Sequence, residues 1–213
     1  MATKLGLFDG ALTELGHRNL VDTGEPVEAG RLLNNVYSKV VAECLAAGSW
    51  NFAMETIKAD SDTGVTPGFG YPEVFAKPSD WVRTFAVSAD EYFAYPLLQY
   101  YDDVGFWSAD LTPIYIRYVS NDTGLGLELT RWPTAFSRYV ELELASRICM
   151  KVTASETMNE KVDKKRDKAR RTALNHDAMN EANPKFPPPS SWTRARSGPS
   201  SGNDRGNRNS FTG

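Results

Sequence analysis

The stretch Ala46-Ala47-Gly48-Ser49-Trp50-Asn51-Phe52-Ala53-Met54-Glu55 decides how the chain is read, because two periodicities meet in it. Before it, Leu33, Val36, Tyr37, Val40, Val41, Cys44 and Leu45 recur at helical spacing, and Gly48 is a natural stop. From Trp50 onward, Trp50, Phe52 and Met54 alternate with Asn51, Ala53 and Glu55, as a half-buried strand requires. A change from helix to sheet is therefore expected at Trp50.

Toward the N-terminus, Leu5, Phe8, Leu12 and Leu15 form an amphipathic stripe closed by Gly16 and His17, a first helix. Asp22 to Pro26 is a turn that opens the second. Toward the C-terminus, Gly64 to Pro72 reads as a loop. Short extended runs follow at Val82–Val87, Tyr95–Tyr101 and Ile114–Val119, broken by Pro96, Asp102-Asp103 and similar signals, which predicts a small antiparallel sheet. Pro133 opens a third helix whose stripe is Phe136, Tyr139, Val140, Leu144, Ile148 and Val152. Thr153 and Glu156 have capping-box spacing for a fourth, rich in charge, with Glu160–Lys164 and Asp167–Arg171 at i, i+4 and a thin stripe of Met158, Val162, Ala169 and Ala173. Such a helix is either a solvated outer layer or one that packs on neighbouring subunits. Beyond Asn183, Pro187-Pro188-Pro189 and a Gly, Ser, Asn and Arg end cannot bury a core and read as a tail that orders only against a partner. The expected fold class is mainly α, a helical bundle with a small antiparallel β insertion and an extended C-terminal tail. Its parts are residues 1–48, 49–130, 131–183 and 184–213.

Hydrophobic residues are 41% of the chain and aromatics 11%, enough for one sizeable core. From Pro184 onward Lys185, Arg194, Arg196, Arg205 and Arg208 face Asp204 alone, a surplus of four positive charges. A net charge of −3 then leaves seven excess negative charges before it. An acidic body argues against gripping nucleic acid and suits a lumen along which DNA slides. Cys44 and Cys149 sit in apolar helical patterns and read as buried thiols of a reducing compartment rather than a disulfide. No run reaches the ~18 apolar residues of a membrane span.

Signals for chemistry are sparse. His17 and His176 have no neighbours at zinc-ligand spacing, so no metal is expected. Gly64 to Gly70 lacks a following Gly-Lys-Ser/Thr, and Gly124-Leu125-Gly126 reads as a turn, so no cofactor is expected. Asp102-Asp103 and Glu141/Glu143 are either solvated acids or a glycosidase-like pair, since such pairs are spatial. The dense aromatics Tyr92, Phe93, Tyr95, Tyr100, Tyr101, Phe106 and Trp107 fit core packing and subunit contact equally well. Phe186, Trp192, Arg194 and Arg196 place aromatic anchors beside arginines on the tail, as a recognition segment would, or belong to a merely solubilising end.

The order of these features resembles the head-to-tail adaptor family of tailed phages, the tail tubular protein A type. The residues that carry the resemblance are the helix Leu5 to Leu15, Ala46-Ala47-Gly48-Ser49-Trp50-Asn51-Phe52, and Lys77-Pro78-Ser79-Asp80-Trp81-Val82-Arg83. They continue with Ile114-Tyr115-Ile116-Arg117-Tyr118-Val119, the helix Phe136 to Val152, the charged helix, and Ser191-Trp192-Thr193-Arg194-Ala195-Arg196. The longer end 197–213 departs from the family pattern. The resemblance implies a non-enzymatic structural protein of the virion neck, made in the host cytoplasm and assembled with itself as a twelve-fold ring. Its β part would meet the tail nozzle or tube protein, and its tail, through Phe186, Trp192, Arg194 and Arg196, would meet the portal protein. DNA would pass through without specific binding, and no membrane is involved. Rival readings are a tail-completion or neck protein of a long-tailed phage, a tail-associated cell-wall hydrolase, and a nucleic-acid binder using the basic tail.

Overall fold

A computed structural model of the chain describes residues 2–62, 64–65 and 70–180. The chain up to Ala178 forms one compact unit. A second begins at Met179 and, apart from Met179 and Asn180, lies outside the described residues.

The helices fall where the apolar periods put them. Helix α1 spans Lys4–Glu14, with the Thr3 hydroxyl accepting from the Gly6 N–H at 3.1 Å as N-cap. Gly16, at φ 71°, closes it in the left-handed conformation that glycine adopts without a Cβ penalty, and the His17 N–H returns to the Leu12 carbonyl. Helix α2 spans Glu28–Ala46 and α3 spans Thr134–Thr153. Helix α4 spans Glu156–Asn180, and its cap is Ser155, whose hydroxyl accepts from the Met158 N–H. The expected cap Thr153 instead donates to the Cys149 carbonyl inside α3. Phe8, Leu12, Leu33, Val41, Leu45, Trp50, Phe136, Val140 and Ile148 meet in one helical core.

The expectation of a mainly α bundle is overturned, both as read from the residues and as implied by the resemblance. Among the described residues four helices are joined by two three-stranded antiparallel sheets, and the fold is mixed α/β. In the first sheet, β1 (Met54–Ala59) and β3 (Trp81–Ser88) flank β6 (Ile114–Ser120), with Met54 opposite Val119 and Ala59 opposite Ile114. In the second, β2 (Glu73–Ala76) and β4 (Tyr101–Asp103) flank β5 (Phe106–Ala109). Phe75, Val87, Trp107, Ile114, Ile116 and Tyr118, drawn from both sheets, form a second core. The β region is thus no mere insertion on a bundle, because it buries an apolar layer of its own.

Local corrections follow from how backbone groups are satisfied. Asn51–Ala53, expected as the start of a strand, is a 3-10 turn, and β1 begins only at Met54. The Trp50 indole N–H donates to the Cys44 carbonyl at the end of α2, and the Asn51 N–H donates to the Asp177 carboxylate at 3.1 Å. These bonds take up the segment before a ladder can form. Tyr95–Tyr101, expected as a strand, is loop up to β4, with a single bridge from Pro96 to Ser88.

Candidate functional site

The anchor residues singled out in the tail, Phe186, Trp192, Arg194 and Arg196, lie outside the described residues. The aromatic cluster is described, and it divides. Trp107 is fully buried and Tyr100 packs against the sheet core, but Tyr92 is 82% exposed, Tyr95 74% and Tyr101 52%. Leu98, at 85%, and Val104, at 100%, join them. Sequence reasoning missed these two, since a single leucine or valine in a Pro- and Asp-rich loop carries no periodic signal. Apolar side chains scattered singly over a surface are ordinary. Five within one loop and its edge strand make this the most apolar exposed stretch of the β region and a candidate contact region.

Two devices hold this region in place. Asp90 gathers the loop: one carboxylate oxygen accepts from the Tyr95 N–H at 2.9 Å and the Ser88 hydroxyl at 2.8 Å, and the other from the Tyr92 and Ala94 N–H groups. The Tyr95 backbone bond first, then Ser88, hold its carboxyl below the usual range. Phe93 is carried through a positive φ of 54° between Tyr92 and Ala94. The second device is Lys77. Its side chain is 5% exposed, its ammonium lies 3.8 Å from the centre of the Trp81 ring, and it pairs with Asp102 while donating to the Asp103 carbonyl at 2.7 Å. The Thr84 hydroxyl accepts from the indoles of both Trp81 and Trp107, fixing the rings around the cation. Strand β4, which carries Tyr101 and leads to Val104, is thereby fastened to the first sheet.

Three of the four acids weighed as catalysts are paired with cations, and Asp103 meets Lys77 only through its backbone carbonyl. Asp102 pairs with Lys77, Glu141 with Arg138 at 3.0 Å, and Glu143 with Arg147 at 2.9 Å and Arg166 at 3.6 Å. A glycosidase acid needs the opposite, an apolar pocket that keeps a carboxyl protonated. A cavity of about 460 Å³ beside α1 and α3 is lined by Thr3, Thr130, Thr134 and Ser137, and its one carboxylate, Glu141, is the partner of Arg138. Burial pushes the Cys44 thiol up to about 12, which leaves it without nucleophilic thiolate at neutral pH. The Tyr118 hydroxyl lies 3.0 Å from Glu55 and 3.2 Å from Asp80, which also accepts from Ser120. Burial, then the Glu55 bond, raises its pKa. Among the described residues no group of three His, Cys, Asp or Glu is placed to hold a metal ion, and no described helix is long and apolar enough to cross a membrane.

The charge of α4 is partly accounted for within the chain. Lys165 pairs with Glu14 of α1 at 2.7 Å, Arg166 reaches Glu143 of α3, and the Ser146 hydroxyl donates to Asp163. The expected intrahelical pairs Glu160–Lys164 and Asp167–Arg171 are not among the ion pairs of the described residues. No protein-family model and no curated protein matches the chain.

Proposed function

We propose that the chain is a structural subunit of a tailed-phage virion, a head-to-tail adaptor that forms a ring between portal and tail around the DNA channel. The observation that carries the reading is the exposed apolar set Tyr92, Tyr95, Leu98, Tyr101 and Val104, on a loop whose backbone Asp90 holds at Tyr92 and Tyr95 and an edge strand that Lys77 holds at Asp102 and Asp103. A surface that spends ordered hydrogen bonds on presenting apolar side chains to water is suited to burial against another protein. The resemblance in feature order supplies the partner, since it is the β part of the adaptors that meets the tail nozzle or tube protein. The acidic chain before Pro184 favours free passage of DNA, and the basic end with Phe186, Trp192, Arg194 and Arg196 is the portal-facing element of this reading.

The contact region is tested by capture of the tail nozzle protein of the same phage on immobilised chain. Tyr92→Ser combined with Leu98→Ser, both on exposed positions, is expected to abolish capture without shifting the unfolding midpoint. Undiminished capture by the double variant refutes the assignment of this surface.

A further inference from the structure

Helix α4 turns one face to the helical core through Met158, Val162, Ala169 and Ala173. On the opposite face stand Lys161, Lys164, Lys168 and Arg171, all exposed, at the i, i+3, i+7, i+10 spacing that aligns them in one stripe about 15 Å long. Lys165 and Arg166, at the margins, are taken by Glu14, Glu143, Asp163 and Asp167. The four stripe cations have no ion pair among the described residues, and the Arg171 guanidinium donates to the Asp167 carbonyl. Glu160 is the one exposed acid beside the stripe that no described cation engages. Four cations without an ion pair and one acid beside them leave this helical face of an acidic chain net positive, a separation of charge that an anionic partner would complement.

The chain itself presents one. The register of the sheets brings Asp60, Asp62, Glu73 and Asp110 to one end of the β region. Asp60 follows Ala59, which lies opposite Ile114. The Asp62 N–H donates to the Val74 carbonyl beside Glu73, and Glu73 lies opposite Ala109, next to Asp110. Lys58, 3.9 Å from Asp60, is the cation paired there. We infer that the cationic stripe of α4 docks on this acidic end of the β region in a second copy of the chain, giving a heterologous contact that repeats from copy to copy. The contact rests on the ring reading above and deepens it, because two different faces of one subunit are what a closed ring requires. Each exposed pair contributes little alone, so the contact acts by steering and by repetition around the ring, and it weakens with salt.

The test is sedimentation of the full chain at low and high salt, with wild type, Lys164→Glu/Lys168→Glu, Asp60→Lys/Asp110→Lys, and the four changes combined. Wild type is expected to form oligomers at low salt that dissociate at high salt. Each double reversal is expected to lose them, and the combined variant to regain them. Wild type that stays monomeric at low salt, reversals that leave assembly intact, or a combined variant that stays monomeric overturns the contact. So does a stripe whose reversal abolishes binding to duplex DNA and leaves self-association unchanged. The same proteins are offered portal rings of the phage. Portal binding by wild type with assembly indifferent to reversal removes this contact and keeps the adaptor reading. Charge-reversible assembly without portal binding does the opposite.

Discussion

Replacing Lys77 with methionine keeps the length of the stem against Trp81 and Trp107 but removes the ammonium that holds β4. Two charge-assisted bonds vanish, to the Asp102 carboxylate and the Asp103 carbonyl. Bonds of this class contribute about 1.5–3 kcal/mol each, but the Asp102 side chain is 34% exposed and recovers part of the loss from water. The ring contact, shielded from solvent, adds about 1–2 kcal/mol. A net destabilisation of about 2–4 kcal/mol is expected in urea unfolding, with the slope unchanged. The loss should also be local. Amides of Tyr101–Asp103 should exchange hydrogen faster than those of β5, while α2 and α3 keep their protection. A stability within about 0.5 kcal/mol of wild type, where ordinary surface substitutions fall, would refute the clamp. So would uniform acceleration across helices and sheets.

Tyr118→Phe removes the phenol between Glu55 and Asp80 and should cost about 1–3 kcal/mol in the same assay, because the two carboxylates lose the single O–H donor they share. The raised pKa of Tyr118 also sets a pH dependence. Its stabilising share is full below the unfolded value near 10 and is lost as pH climbs toward the folded one, so the variant's stability should fall less steeply above about pH 10 than that of wild type. Glu14→Gln breaks the tie from Lys165 and Arg138 and should cost about 1 kcal/mol at neutral pH. Because the Lys165 bond holds this carboxyl low, its contribution is present above about pH 4.5 and lost on further acidification, and acid titration of the variant should show a correspondingly smaller decline. Gly126→Ala puts a Cβ 2.0 Å from the Ser120 carbonyl oxygen, where backbone cannot yield, and should destabilise by about 2–3 kcal/mol, measured by thermal unfolding.

The helices were legible because each buries a stripe at a fixed period: Phe8 and Leu12, Val40 and Cys44, Phe136 and Val140 declare themselves. The extent of the sheet was not. Strands β2 and β5 are four residues each, too short to establish alternation, and their pairing of Phe75 with Trp107 is visible only in space. Trp50 misled because its indole serves as a cap on the α2 carbonyls rather than as a strand side chain. The contact region was half legible: density of tyrosine marked it, but which tyrosines face water depends on Asp90 and Lys77, whose roles emerge only from the folded loop. Likewise the stripe on α4 could be counted in sequence, while its lack of partners follows from which cations Glu14 and Glu143 engage.

The adaptor reading is tested most directly by electron microscopy of the purified chain mixed with the portal ring of its phage, using the full chain and a version ending at Asn183. A closed ring of the full chain seated on the portal, absent with the shortened chain, is the predicted result. Portal rings left bare by the full chain would contradict the reading.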